Sequence, residues 1–261
     1  MGTSSVSNKD RINSKDIFKN LKSKYIFNKI FDYLSKIKSL KIIKYNKKMQ
    51  KGINININDY KDYSLTELEI IPDSKEYGQF ININKGEEKY FHIYFDNNKE
   101  ETKRFYFNQN EKIKKIKIII DYQVKSFQNL FNSFKSIKSI NFKKFYRTNI
   151  NNMSSMFSCC SSLKEINISK FNTNNVTNMS SMFYGCSSLI ELNLSNFNTI
   201  NVVDMHSMFK GCSSLKELNV SNFNTNNVTN MECMFYRCSE QFINKIRPEY
   251  KNIKKEAFNE Y

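Results

Sequence analysis

From Asn152 onward the apolar residues of this chain return every 26 positions. Met153, Met179, Met205 and Met231 form one column, and Met156, Met182, Met208 and Met234 a second. Phe157, Phe183, Phe209 and Phe235 follow, then Cys160, Cys186, Cys212 and Cys238, then Leu163, Leu189 and Leu215. Four copies that keep these columns read as a repeat protein in which each unit buries its apolar positions against the next. Ser126–Ile150 fits as a degenerate copy without a gap, with Phe127, Leu130, Phe131, Phe134 and Ile137 in the Met, Met, Phe, Cys and Leu columns. One unit earlier, Ile113, Ile116 and Ile118 fit the strand columns if two residues are missing afterwards, which places the start of the repeats near Lys112.

Within a unit two periods succeed one another. The pairs Ile166/Ile168, Leu192/Leu194 and Leu218/Val220 alternate with polar residues, as in a half-buried strand. Met179, Met182 and Phe183 have the i, i+3, i+4 spacing of a helix face, with Thr177 placed to cap it and Gly185 to end it. One strand and one short helix per unit predict an α/β solenoid: parallel strands in a stacked sheet, short helices opposite, spanning residues 112–239. Residues 240–261 are expected to form a C-terminal helical cap.

Ahead of the repeats the pattern changes twice. Residues 1–13 read as a disordered N-terminus. Residues 14–51 are helical in pattern, with Phe27, Ile30, Phe31 and Leu34 on one stripe and lysines on the other faces. Residues 52–111 contain runs of period two, "INININ" (Ile53–Asn58), "FININ" (Phe80–Asn84), "YFHIYF" (Tyr90–Phe95) and "RFYF" (Arg104–Phe107), separated by turn-rich stretches. They predict a small antiparallel β-region.

The unit "NMSSMFSCCSSLKEINISKFNTNNVT" and its two successors resemble the BspA-type leucine-rich repeats, over roughly Asn152 to Ser239. That resemblance implies a curved leucine-rich-repeat solenoid that binds proteins through its concave face, in a family with many exported surface members. "KYIFNKIFDYLSKIKSLKIIKYNKKMQ" is similar to an F-box, the helical hook of ubiquitin-ligase substrate receptors, in its "IFDYL…L…YNK" layout.

Charge separates the same regions. The net charge of +16 is concentrated in residues 1–51, with 14 basic and 3 acidic side chains, whereas residues 152–239 carry 5 of each. Such a positive field attracts acidic partners without specificity, but it avoids the repeats and accompanies no nucleic-acid motif. No apolar run reaches the length of a membrane span. "MGTSSVSNKD" lacks the apolar core of a signal peptide, and Val6 stands where an acylation motif at Gly2 wants Ser or Thr. A cytoplasmic location is the expectation.

Candidate chemistry is sparse. A single column of cysteines cannot wrap a zinc ion tetrahedrally, so Cys186 and Cys212 are read, with Met182, Phe183, Leu189, Met208, Phe209 and Leu215, as core columns. His92 and His206 are the only histidines, and no acid, base or nucleophile constellation surrounds either. No catalytic residue, metal ligand or cofactor site is expected. The outward strand positions remain: Glu165, Glu191 and Glu217; Asn167, Asn193 and Asn219; and Ser169, Ser195 and Ser221, preceded by Asn141 and Lys143 in the degenerate unit. The sequons at Asn167, Asn193 and Asn219 are by-products of the repeat.

The expected function is therefore a non-catalytic protein–protein interaction module, meeting an unidentified protein through these outward columns. Two readings stand beside it: a substrate adaptor that recruits a ubiquitin-ligase subunit through residues 24–50, and a surface adhesin of the BspA type.

Overall fold

The computed structural model describes residues 64–73, 75–145, 147–250 and 253–259. The readings made for residues 1–13, for the helical and F-box-like segment 14–51 and for the run 53–58 lie outside the described residues.

Nine strands are described: β1 (Thr66–Pro72), β2 (Gly78–Gln79), β3 (Phe91–Phe95), β4 (Tyr106–Phe107), β5 (Ile116–Ile120), β6 (Ile137–Phe145), β7 (Glu165–Asn167), β8 (Glu191–Asn193) and β9 (Glu217–Asn219). One α-helix, α1 (Glu240–Glu249), and a 3-10 turn at Lys255–Phe258 follow them. The Ser239 side chain caps α1 by accepting the Phe242 N–H.

The predicted α/β solenoid of parallel strands and short helices is not what forms. The main sheet is mixed, five strands in the order β3-β5-β1-β6-β7, and β8-β9 is a separate pair. β1 pairs antiparallel with β5 on one side and with β6 on the other. Only β6-β7 and β8-β9 are parallel. "IKIII" therefore does not stack on the next unit, because β1 is wedged between them. The β-region is not a separate module before the repeats but half of the sheet that the repeats extend. The alternation of Thr66, Leu68 and Ile70, all fully buried, explains the wedge: their faces complete the core between Ile116, Ile118 and Ile120 of β5 and Ile140 and Phe142 of β6. "FININ" runs as irregular chain, although Phe80 and Ile81 are fully buried.

The expected short helices are overlapping turns. Met156 N–H donates to Met153 C=O, Ser158 to Ser155 and Cys160 to Phe157, each a three-residue return. The amides between them point out of the turn: Met153, Ser155, Phe157 and Cys159 donate to the carbonyls of Asn178, Ser180, Met182 and Tyr184 in the next unit, at 2.6–3.0 Å. Two residues per turn have positive φ, such as Ser155 at 53° and Cys159 at 57°, with Ser181 and Gly185, then Ser207 and Gly211, at the same columns. An α-helix cannot include them, since a left-handed residue reverses the direction of the next amide. In exchange, both sets of backbone donors are satisfied in a buried place.

The repeat columns line one continuous core. Met182, Phe183, Cys186, Leu189, Met208, Phe209, Cys212 and Leu215 are all fully buried. The Phe column stacks ring on ring, with centroids 5.4 Å apart for Phe157–Phe183, 5.8 Å for Phe183–Phe209 and 5.4 Å for Phe209–Phe235.

The first unit is closed by side chains instead of by another turn. Asn82 donates from its backbone N–H to Leu130 C=O and from Nδ2 to Asn129 C=O, both at 2.8 Å. Arg147 stands in the column of Thr173, Thr199 and Thr225 and is almost wholly buried. Its guanidinium donates to the carbonyls of Asp121 (3.0 Å), Tyr122 (2.9 Å) and Val124. Burial lowers its pKa to about 10, although the Tyr122 and Asp121 charges work the other way.

Candidate functional site

The outward face of the sheet carries two kinds of carboxylate. On β1, Glu67 lies between Lys117 (3.2 Å) and Lys144 (3.0 Å), and Glu69 between Lys115 (3.4 Å) and Lys143 (3.2 Å). Partial burial works against the Glu67 carboxylate, but its two lysines outweigh that and hold its pKa below the ordinary value. On β7 and β8, Glu165 and Glu191 are exposed and form no ion pair with a described residue. Glu217 on β9 is bound to Lys245 of α1 at 2.5 Å. The three equivalent glutamates thus differ: two have no ion-pair partner among the described residues, one fastens the helix.

The asparagines between the strand positions are already engaged. Asn167, Asn193 and Asn219 each accept, through Oδ1, the backbone N–H two residues on: Ser169 at 3.2 Å, Ser195 at 3.0 Å and Ser221 at 3.1 Å. These Asx turns end each short strand and turn the chain inward. Lys143, expected to share a contact column with the serines, belongs to Glu69.

Where β7 and β8 cease to be ladder partners, the face opens into a depression of about 440 Å³. Glu69 and Ile71 of β1, Ser139 and Asn141 of β6, Lys164, Glu165 and Asn167 around β7, and Glu191 of β8 contribute to its wall. Ile166 is only half-buried here, whereas Leu192 and Leu218 at the same column are buried. Sequence reasoning missed the β1 contribution, although "TELEI" (Thr66–Ile70) alternates as a strand does. The pattern of the repeats could not show that an antiparallel strand would join the face.

The cysteines line the core. Cys160, Cys186, Cys212 and Cys238 each donate a thiol hydrogen bond to a phenylalanine carbonyl of the preceding unit: Phe131 (2.9 Å), Phe157 (3.1 Å), Phe183 (3.0 Å) and Phe209 (3.2 Å). Burial pushes the Cys160 and Cys238 thiols up to about 12, and Cys186 and Cys212 well above their ordinary value. A thiol is a ligand or nucleophile as its thiolate, so these four are in the wrong state for either role. Among the described residues no group of three or more His, Cys, Asp or Glu could hold a metal ion.

The histidines stand apart from the depression's wall. His92 bridges Glu101 (3.2 Å, Nδ1) and Asp121 (3.5 Å, Nε2), tying the loop after β3 to the end of β5. His206 Nε2 lies 3.2 Å from Ser207 Oγ, but Asp204 accepts the His206 backbone N–H. No described helix is long and apolar enough to cross a membrane.

The model of one family, described as "Mycoplasma protein of unknown function, DUF285", matches residues 99–191 and again residues 151–257. The two overlapping matches cover more than half of the chain and agree with a repeated unit. No curated protein and no solved structure matches the chain.

Proposed function

The chain belongs to the DUF285 family, and from that premise we propose that it is a non-catalytic binding module whose partner is a protein with a positively charged contact strip. The observation that carries this reading is the contrast between the carboxylates of β1 and those of β7 and β8. Glu67 and Glu69 are neutralised by four lysines, while Glu165 and Glu191 stand exposed beside a depression large enough for side chains. A carboxylate that no described cation neutralises is available to an external one, and such pairs steer encounter and register more than they add affinity. Glu165, Glu191 and Ser169 are the contact residues of this reading. Asn167, Asn193 and Asn219 shape the strand ends, and Glu217 and Ser221 lie towards the helix.

The experiment compares the unchanged chain with Glu165→Gln/Glu191→Gln as baits in an affinity capture. Removing the two charges leaves the Asx turns intact, so the melting temperature should stay within about 2 °C. A partner captured by the unchanged chain should be lost from the double variant and should leave the unchanged chain as salt is raised. An identical set of partners on both baits would exclude the glutamate face.

A further inference from the structure

β7 ends the five-stranded sheet and β8 begins the two-stranded pair, so two strand edges of consecutive units border the depression. On either side of this slit one backbone bond repeats: Lys164 N–H donates to Lys138 C=O at 2.9 Å, and Lys216 N–H to Ile190 C=O at 2.8 Å. Ile190 N–H stands in the same column and has no acceptor among the described residues. Leu194 N–H donates to Asn219 C=O at 2.9 Å, whereas Ile168 N–H, its equivalent, likewise has no acceptor among the described residues. The core shows through here, since Ile166 is half-buried while Leu192 and Leu218 are buried. The slit is short, because the same two units are joined on both sides of it. Met153 N–H donates to Asn178 C=O at 3.0 Å, and Thr173 Oγ1 donates to Asn198 C=O at 3.0 Å while accepting Asn198 N–H at 2.8 Å.

The outward rows continue across the slit. Ser139 of β6 pairs with Glu165 of β7, and Glu191 of β8 with Glu217 of β9, so Glu165 and Glu191 occupy one row on its two banks. The molecule holds a charge-reversed copy of this arrangement. β1 lies between β5 and β6, and its Glu67 is held by Lys117 on one side (3.2 Å) and by Lys144 on the other (3.0 Å). An open strand edge is a template for another chain, and opposite charges directly across strands favour the pairing. We propose that the slit between β7 and β8 takes a short extended segment of the partner protein, with a lysine or arginine between Glu165 and Glu191 and an apolar neighbour turned in against Ile166. The Ile168 and Ile190 amides bind its main chain, as in strand addition to a sheet edge, and the two carboxylates set its register. Because the units rejoin on both sides, the occupant is the tip of a loop, matching the three residues each of β7 and β8, and not a strand that runs through. The proposal rests on the reading of a positively charged partner and adds the form in which that partner binds.

The test uses the full chain and a fluorescent, capped peptide, Gly-Thr-Val-Lys-Val-Thr-Gly. The peptide should bind saturably by anisotropy at low salt, and at least about five-fold more weakly to Glu165→Gln/Glu191→Gln. The same peptide N-methylated at both valines keeps its charge but blocks strand pairing, and should bind at least about ten-fold more weakly. Equal binding of the two peptides overturns the strand and leaves the glutamates as a contact. Failure of both peptides to bind, while the affinity capture still depends on Glu165 and Glu191, also overturns it and spares the broader reading. A capture that ignores both glutamates removes the two together. Hydrogen exchange of the unchanged chain gives a second readout. The Ile168 and Ile190 amides should exchange at least about ten-fold faster than those of Leu194 and Lys216, and slow when peptide is in excess. Equal protection at all four sites in the free chain, or protection that fades on dilution because a second copy fills the slit, overturns the proposal.

Discussion

Two regions meet where β7 joins the five-stranded sheet, but they solve the same problem differently. In the repeated half, residues 152–239, identical columns satisfy one another: amide to carbonyl, thiol to carbonyl, ring to ring, once per 26 residues. In the irregular half, residues 64–147, single side chains do this work. Asn82 and Arg147 cap the open carbonyls of the first unit, and Lys115, Lys117, Lys143 and Lys144 neutralise two glutamates. Regularity makes each contact replaceable by its neighbours' pattern but couples every unit to the next. Irregularity concentrates stability in a few residues and pairs both β1 carboxylates with lysines, whereas Glu165 and Glu191 on the regular side form no ion pair with a described residue.

The comparison can be broken most sharply at the ring column. Phe209→Ala removes the ring between Phe183 and Phe235 and should cost about 3–5 kcal/mol in a urea titration. The loss should lower the protection of amides in both flanking units, not in its own alone. Next comes Arg147→Met, which strands the carbonyls of Asp121, Tyr122 and Val124. At about 1 kcal/mol each the expected loss is about 3 kcal/mol, and hydrogen exchange should rise at the first unit while the units around Phe209 stay protected. A spread of the effect through the whole stack would erase the distinction between the two halves.

Cys212→Ser should cost about 1–2 kcal/mol, by burying a hydroxyl in a slot shaped for sulfur. Cys186 and Cys212 should resist a thiol reagent at pH 8 until denaturant is added. Rapid labelling in the native state would contradict the buried ladder. The smallest effect is expected at Glu67→Gln. The Glu67 pKa is lowered in the folded state, so its contribution is present above the ordinary carboxylate value of 4.5 and is lost as pH falls below it. The variant should therefore show a flatter stability profile between pH 5 and 3 than the unchanged chain.

Much of the stack was legible because burial repeats. The Met, Phe, Cys and Leu columns read from the 26-residue period are buried, with only Cys238 in the last unit half-buried, and the strand positions Glu165, Glu191 and Glu217 face outward as the alternation requires. The helical reading of Met179, Met182 and Phe183 failed because i, i+3, i+4 spacing also fits overlapping turns. The hint lay in Gly185 and Gly211, which share a column with Cys159 and its positive φ. β1 fell within the stretch expected to be antiparallel but was not among the runs singled out there, and its place between β5 and β6 could not be read in any case, since alternation fixes a strand's faces and not its neighbours. The engagement of Asn193 with Ser195 N–H was hidden for a similar reason: an asparagine on a strand end looks the same whether it faces a partner or its own backbone.

One consequence follows from the direction of the amide ladder. Met153, Met179 and Met205 all donate towards the higher-numbered unit, and so do the alternate residues that follow each of them. A second ladder on the same units runs the other way: Thr177, Val203 and Thr229 donate to the carbonyls of Asn151, Thr177 and Val203 in the lower-numbered unit. The peptide dipoles of the two ladders oppose one another, so the stack does not build up the end-to-end polarity of a helix. Each inner unit is instead a link closed on both sides, giving amides to one neighbour by one ladder and to the other by the second, and loosening one unit frees polar groups on both of its neighbours.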